Sequence, residues 1–156
     1  MKAVVYEGMK KVKVDEVADP VIKETDDLII RVTNAAICGS DLHIYHGMVP
    51  NMPKGFVIGH EAIGIVEDVG PEVRNIKKGD RIIVPFTIAC GHCSFCSNGL
   101  FSQCDNSNSN GTVGAVFGYG EKFGSFYGGQ AQYLRVPYAN AGPIVAPEEL
   151  SDEEAL

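Results

Sequence analysis

The sequence has 156 residues and a net charge of −7, from 13 basic and 20 acidic side chains, with 45% hydrophobic and 21% charged residues. That mixture excludes disorder of the whole chain. It lacks the run of about 18 apolar residues that spans a bilayer, and its acidity argues against nucleic acid as a partner.

Met1-Lys2-Ala3-Val4-Val5-Tyr6-Glu7 enters strand-like sequence directly, without a signal peptide's apolar stretch and small-residue cleavage site, so a cytoplasmic location is expected. Val12 and Val14 alternate with Lys11 and Lys13, which predicts a strand with one face buried. After a turn signal at Asp26-Asp27 comes the strand Leu28–Val32, and then a short helical candidate, Asp41–Tyr45. Phe56–Gly59 reads as a strand running into Ala62–Val66. Lys77–Asp80 reads as a turn, Arg81–Val84 as a strand and Ala131–Val136 as a strand stopped by Pro137. Many short strands with Gly and Pro turns predict a mainly β fold, a sandwich or barrel. Residues 105–111 form a polar stretch expected to be a mobile loop, and the Gly-rich stretch 111–129 has no assignable regular structure. Ser151-Asp152-Glu153-Glu154 has the form of a capping box, followed by Ala155 and Leu156 as the start of an apolar helix face. A helix start there leads us to expect that the sequence is a piece of a longer protein.

Five cysteines cannot all pair within one chain. Cys90, Cys93, Cys96 and Cys104 are crowded together, and Cys38 stands alone. Two-residue gaps let neighbouring sulfurs face one centre, and the longer gap lets the fourth complete a tetrahedron, as in structural zinc sites. An iron–sulfur cluster would continue with a three-residue gap and Cys-Pro, whereas here the gap is seven and Asp105 follows. A nucleic-acid zinc finger is excluded by the absence of Lys and Arg between Arg81 and Lys122. His92 lies inside the cluster, but four sulfurs already fill the shell, so it is expected to be exposed.

A second constellation is scattered. Cys38-Gly39-Ser40-Asp41-Leu42-His43 places a thiol, a hydroxyl and an imidazole at the end of an apolar strand. Gly59-His60-Glu61 places an imidazole and a carboxylate within an apolar strand region, which is costly unless they find partners. Taken singly, each is equally well read as a core or surface residue. In combination, Cys38-Gly-Ser-Asp-x-His43, Gly59-His-Glu-x2-Gly-x5-Gly70 and then the four-cysteine lobe resemble the N-terminal GroES-like catalytic domain of the medium-chain, zinc-dependent alcohol dehydrogenases. The resemblance includes Lys78-Gly-Asp-Arg81 and Gly129-Gln-Ala-Gln-Tyr133 and is closest to the formaldehyde dehydrogenase-like subgroup.

The resemblance implies a GroES-like, partly open β-barrel over residues 1–156, with short helices and a four-cysteine zinc lobe at about 88–108. It implies that Cys38 and His60 hold a catalytic zinc, with Glu61 beside it as an occasional ligand. It also implies that Ser40 takes the substrate proton and His43 relays it to solvent. Catalytic zinc keeps an open position and acidifies a bound hydroxyl. The implied reaction is oxidation of an alcohol to an aldehyde or ketone, with hydride transfer to NAD or NADP. No strand–Gly-x-Gly-x-x-Gly–helix unit is present, so the Rossmann domain is expected only in the full-length protein, which would be a homo-oligomer. These residues alone are expected to be inactive and to keep the lobe zinc more tightly than the catalytic one. A non-catalytic, zinc-lobed binding module is the alternative; it would leave Cys38 and His60 apart.

Overall fold

The computed structural model describes residues 1–111 and 113–156. Thr112, within the Gly-rich stretch, lies outside the described residues. All strand pairs are antiparallel and form three sheets. The first holds β1 (Lys2–Gly8), β2 (Lys11–Glu16) and β4 (Phe56–Val57), in the order β2-β1-β4. The second adds β3 (Leu28–Ala35), β5 (Ala62–Val69), β6 (Arg81–Val84), β9 (Tyr133–Val136) and β10 (Ile144–Val145), in the order β10-β6-β5-β3-β9. The third pairs β7 (Thr87–Ile88) with β8 (Ala115–Val116). A bridge between Ala3 and Ala131 joins the first sheet to the segment entering β9, giving a partly open barrel. Its main interior lies between the five-stranded sheet and Ile88 and Ala115 of the third sheet, while Ala3, Val5 and Val57 of the first sheet form a cluster of their own.

Alternation along the central strands fills that interior. Leu28, Ile30, Val66, Ile82, Val84, Leu134 and Val136 point inward and are almost fully buried. Asp27, expected only as part of a turn, is completely buried. It accepts two hydrogen bonds from Arg135, at 2.5 and 2.9 Å, and two from the Lys23 and Glu24 N–H groups, each at 2.8 Å. A buried carboxylate survives only with such a full set of donors.

The structure changes several expectations. β2 has no buried face: all six residues are exposed, Val14 at 67%. Its alternation belongs to an outer strand with nothing packed over it. Phe56–Val57 and Ala62–Val69 are not one run but strands of separate sheets, and the break between them carries His60. The polar stretch 105–111 is pinned rather than loose: Ser107 and Asn108 are buried, and the Asn108 amide donates to the Val113 and Lys122 carbonyls, both at 3.0 Å. Its polar side chains satisfy backbone groups that no strand reaches.

Three short α-helices, α1 (Gly39–Tyr45), α2 (Ser94–Ser97) and α3 (Asp152–Ala155), and two 3-10 turns at Phe101–Gln103 and Glu121–Phe123 complete the described residues. α3 starts at the Ser151–Glu154 capping box, as expected, and is fastened to the barrel through Asp152, which accepts from Thr33 and Arg81. No helix among the described residues is long and apolar enough to cross a membrane.

Candidate metal centres

The lobe is built by backbone that closes on sulfur. Cys93 caps α2 and accepts from the Cys96 N–H, the Cys93 N–H donates to the Cys90 sulfur, and the Cys90 N–H donates to the Cys104 sulfur. The four Sγ atoms lie within 4.8 Å of one another, with Cys90–Cys96 and Cys93–Cys104 each at 4.0 Å. A tetrahedron with zinc–sulfur bonds of about 2.3 Å has sulfur–sulfur edges of about 3.8 Å, so this cage has the size of a four-thiolate zinc site. A disulfide needs about 2.05 Å, and all the cysteines are free.

The lobe thiols are unequal. Burial pushes Cys96 up to about 12. Burial also pushes Cys104 upward, but the Cys90 N–H, the Ser107 side chain and the Asn106 N–H outweigh it and hold the thiol at about 6. Cys93 is lowered, chiefly by the Cys96 N–H. Four sulfurs this close cannot all ionise unless a cation shares them, which is the behaviour of a metal site. His92 is exposed, as expected. Asn106, which the sequence did not flag, donates from its side chain to the Cys90 sulfur at 3.3 Å, and its carbonyl accepts from the Tyr138 hydroxyl at 3.0 Å.

The second centre joins two remote arms. β3 ends just before Cys38, which is not a strand residue but the N-cap of α1. The Ser40 N–H donates to its sulfur at 3.3 Å, and the Cys38 N–H donates to Asp41 Oδ2 at 3.0 Å, a capping box with a thiol in the place of a hydroxyl. The other arm is the break after β4, where Gly59 adopts φ +102°, a conformation open to glycine, and turns His60 inward. The two arms meet: Cys38 Sγ lies 3.0 Å from His60 Nε2.

Asp41 completes the group. Cys38, Asp41 and His60 offer ligand atoms within 4.8 Å of one another. Asp41 Oδ1 sits 3.6 Å from His60 Nδ1, and both atoms are buried without a hydrogen-bond partner. That distance is too long for a hydrogen bond, but the facing pair suits a carboxylate that orients a ligating imidazole. Burial pushes the Asp41 carboxyl upward, opposed by the Cys38 N–H and His60 and reinforced by Glu61. Thiolate, imidazole and carboxylate together are a donor set that zinc accepts, so the residues present fit that metal.

The remaining predicted residues fall around this group. Glu61 is half-buried next to His60, near enough to act on Asp41, but its carboxylate is outside the metal-sized cluster. Ser40 is half-buried and His43 exposed, three positions apart on α1. Tyr119, from the stretch without predicted structure, packs edge-on against His60 with ring centroids 5.5 Å apart. Burial raises its phenol pKa, and the Ser40 hydroxyl beside it opposes that shift. A cleft of about 560 Å³ lies elsewhere, between Pro20, Lys54, Phe126 and Tyr127, and includes none of these residues.

The chain is 57% identical to the uncharacterized zinc-type alcohol dehydrogenase-like protein AdhB of Bacillus subtilis, over 99% of the chain and 41% of that protein. It is 38% identical to the glutathione-independent formaldehyde dehydrogenase of Pseudomonas aeruginosa, over 99% of the chain and 40% of that protein. Among solved structures, alcohol dehydrogenase TADH from Thermus sp. ATN1 superposes with a TM-score of 0.91 at 42% identity, over 98% of the chain and 42% of TADH. The chain thus spans about two fifths of the length of these proteins. The alcohol dehydrogenase GroES-like domain matches residues 24–146, and the chain belongs to that family.

Proposed function

We propose that this chain is the metal-bearing catalytic domain of a zinc-dependent alcohol dehydrogenase. In the full-length protein, a small alcohol is oxidised to an aldehyde or ketone, with hydride transfer to NAD or NADP. The observation that carries this reading is the 3.0 Å approach of Cys38 Sγ to His60 Nε2 across 22 residues. The β3–β5 ladder brings the two arms side by side, and a non-catalytic binding module gives no reason for a thiol and an imidazole to be the side chains that face each other there.

Cys38 and His60 hold the catalytic zinc, and Glu61 is the neighbouring carboxylate available to the shell. Bound there, zinc supplies Lewis acidity that makes an alcohol hydroxyl a better proton donor. Asp41 Oδ1 faces His60 Nδ1 across 3.6 Å, a negative charge that favours the tautomer with its proton on Nδ1 and Nε2 free toward Cys38. Ser40 takes the substrate proton. A serine is not a strong base by itself, so it acts as a conduit. His43, one turn further along α1 and open to solvent, receives that proton and releases it. Cys90, Cys93, Cys96 and Cys104 hold a second, structural zinc with a closed shell.

The test is the full-length protein with and without the Cys38→Ser change. The expected result is NAD- or NADP-dependent alcohol oxidation that falls more than about a hundredfold on substitution, with loss of one of two zinc equivalents. Unchanged turnover in Cys38→Ser would falsify the assignment.

A further inference from the structure

We infer that Gln130 is a positioning residue that sets the separation of Cys38 and His60. This rests on the reading that those two side chains share a metal. They arrive from different sheets: Cys38 leaves β3 of the five-stranded sheet, and His60 follows β4 of the three-stranded sheet. The His60 arm then enters β5, which pairs with β3 with Ala35 opposite Ala62, so that ladder brings the two arms side by side and leaves their fine separation to the groups bonded to them.

Gln130 is bonded to both arms. Its backbone N–H donates to the Ile58 carbonyl at 3.0 Å, two residues before His60. Its side-chain amide donates to the Ala36 carbonyl at 3.3 Å, two residues before Cys38. Its own carbonyl accepts from the Val4 N–H at 2.8 Å, which anchors the residue to β1. Contact with the His60 arm is also steric: a Cβ on Gly59 would lie 2.6 Å from the Gln130 nitrogen and 2.5 Å from its Cγ. The arms are also tied by the β3–β5 ladder, which ends with Ala35 opposite Ala62, and by the Ala36 N–H to the Glu61 carbonyl at 3.2 Å, so losing the glutamine bond loosens the pair without releasing it.

The residue type follows from the geometry. The Ala36 carbonyl needs a donor at the end of a side chain of this reach. Glutamate would set an acceptor against an acceptor, and methionine would fill the space with no donor. Groups bonded directly to a metal ligand typically carry about 10- to 100-fold in metal affinity, and a clamp two residues further along each arm is expected at the lower end.

The experiment titrates the metal-free chain with cobalt(II) and follows thiolate-to-cobalt absorption. Comparing wild type with Cys38→Ser first identifies the portion of the signal that belongs to Cys38. The four-cysteine lobe is the internal reference. In Gln130→Glu and Gln130→Met, cobalt affinity at the Cys38 centre is expected to fall about tenfold while the lobe affinity stays at the wild-type value. Wild-type affinity at Cys38 in both variants overturns the inference and leaves the zinc reading standing. A parallel weakening at both centres with a lowered melting temperature also overturns it, because the role is then general stability. Should Gln130→Met not fold, the near-isosteric Gln130→Glu decides. A wild-type spectrum with no Cys38-dependent signal removes the zinc reading, and this inference with it.

Discussion

The lobe and the Cys38–His60 centre hold metal-competent side chains in opposite ways. In the lobe, four like ligands lie within one short segment, and backbone N–H groups of that same segment cradle their sulfurs. At the second centre, unlike ligands come from two sheets, and the supporting carboxylate is orphaned on the side facing the histidine. A local, saturated shell organises its own loop. A shell assembled from remote arms depends on the barrel and keeps room for something to bind. Tight holding and available coordination are thus divided between two places in one small domain.

The comparison makes its largest prediction at the lobe. Structural zinc contributes on the order of 10 kcal/mol to small metal-folded units. Cys96→Ser is expected to release the lobe metal and unfold the segment around α2, read as loss of amide protection there, while the barrel strands keep theirs. If the barrel amides lose protection as well, the lobe is not an independent unit.

The next effect belongs to the barrel. Arg135→Met leaves the buried Asp27 without its ion-pair partner and with only the Lys23 and Glu24 N–H bonds, and is expected to cost about 3–5 kcal/mol in denaturant unfolding. Lobe metal should survive this change, whereas the Cys38 centre should weaken with the barrel. Equal weakening of both centres would break the contrast.

A smaller effect sharpens the role of Asp41. Asp41→Asn keeps an acceptor for the Cys38 N–H but removes the charge facing His60. The expected loss is about 10-fold in metal affinity at the Cys38 centre only, measured by competition with a chelator. The smallest effect is at α3. The Ser151 N–H and hydroxyl hold the Glu154 carboxyl below its ordinary value, so the folded pKa lies under the unfolded one. The cap's contribution is then full above the ordinary glutamate pKa of about 4.3 and lost as pH falls through the lower folded value. An NMR titration of the Ser151 amide should show that transition, with the rest of the barrel unmoved.

The four-cysteine lobe was legible because its ligands are neighbours in sequence, and spacing encodes the cage. The β3, β5, β6 and β9 strands were legible in kind because each is a short, mostly apolar run bounded by turn residues or proline. Alternation does not say whether anything covers the apolar side, and β2 shows the failure. The two-residue strands β7, β8 and β10 have no period to read. Cys38 and His60 were named through a resemblance, since nothing local makes residues 22 apart converge. Asp41 was missed although its signal was present. Cys38-x-x-Asp41 has the same spacing as Ser151-x-x-Glu154, which was recognised; a thiol standing where a hydroxyl is usual concealed it. Asn106 and Tyr119 had no such cue, because their partners are fixed only by tertiary contact.

The uncovered β2 has a further consequence. A strand with no neighbour on its far side offers a template for intermolecular pairing, and Val12 and Val14 supply the stickiness. Lys11 and Lys13 interrupt that surface with charge, and Lys13 is held there by Glu7 and Asp15. Charge placed on an exposed edge in this way is the usual guard against edge-to-edge pairing of copies, a duty unrelated to catalysis.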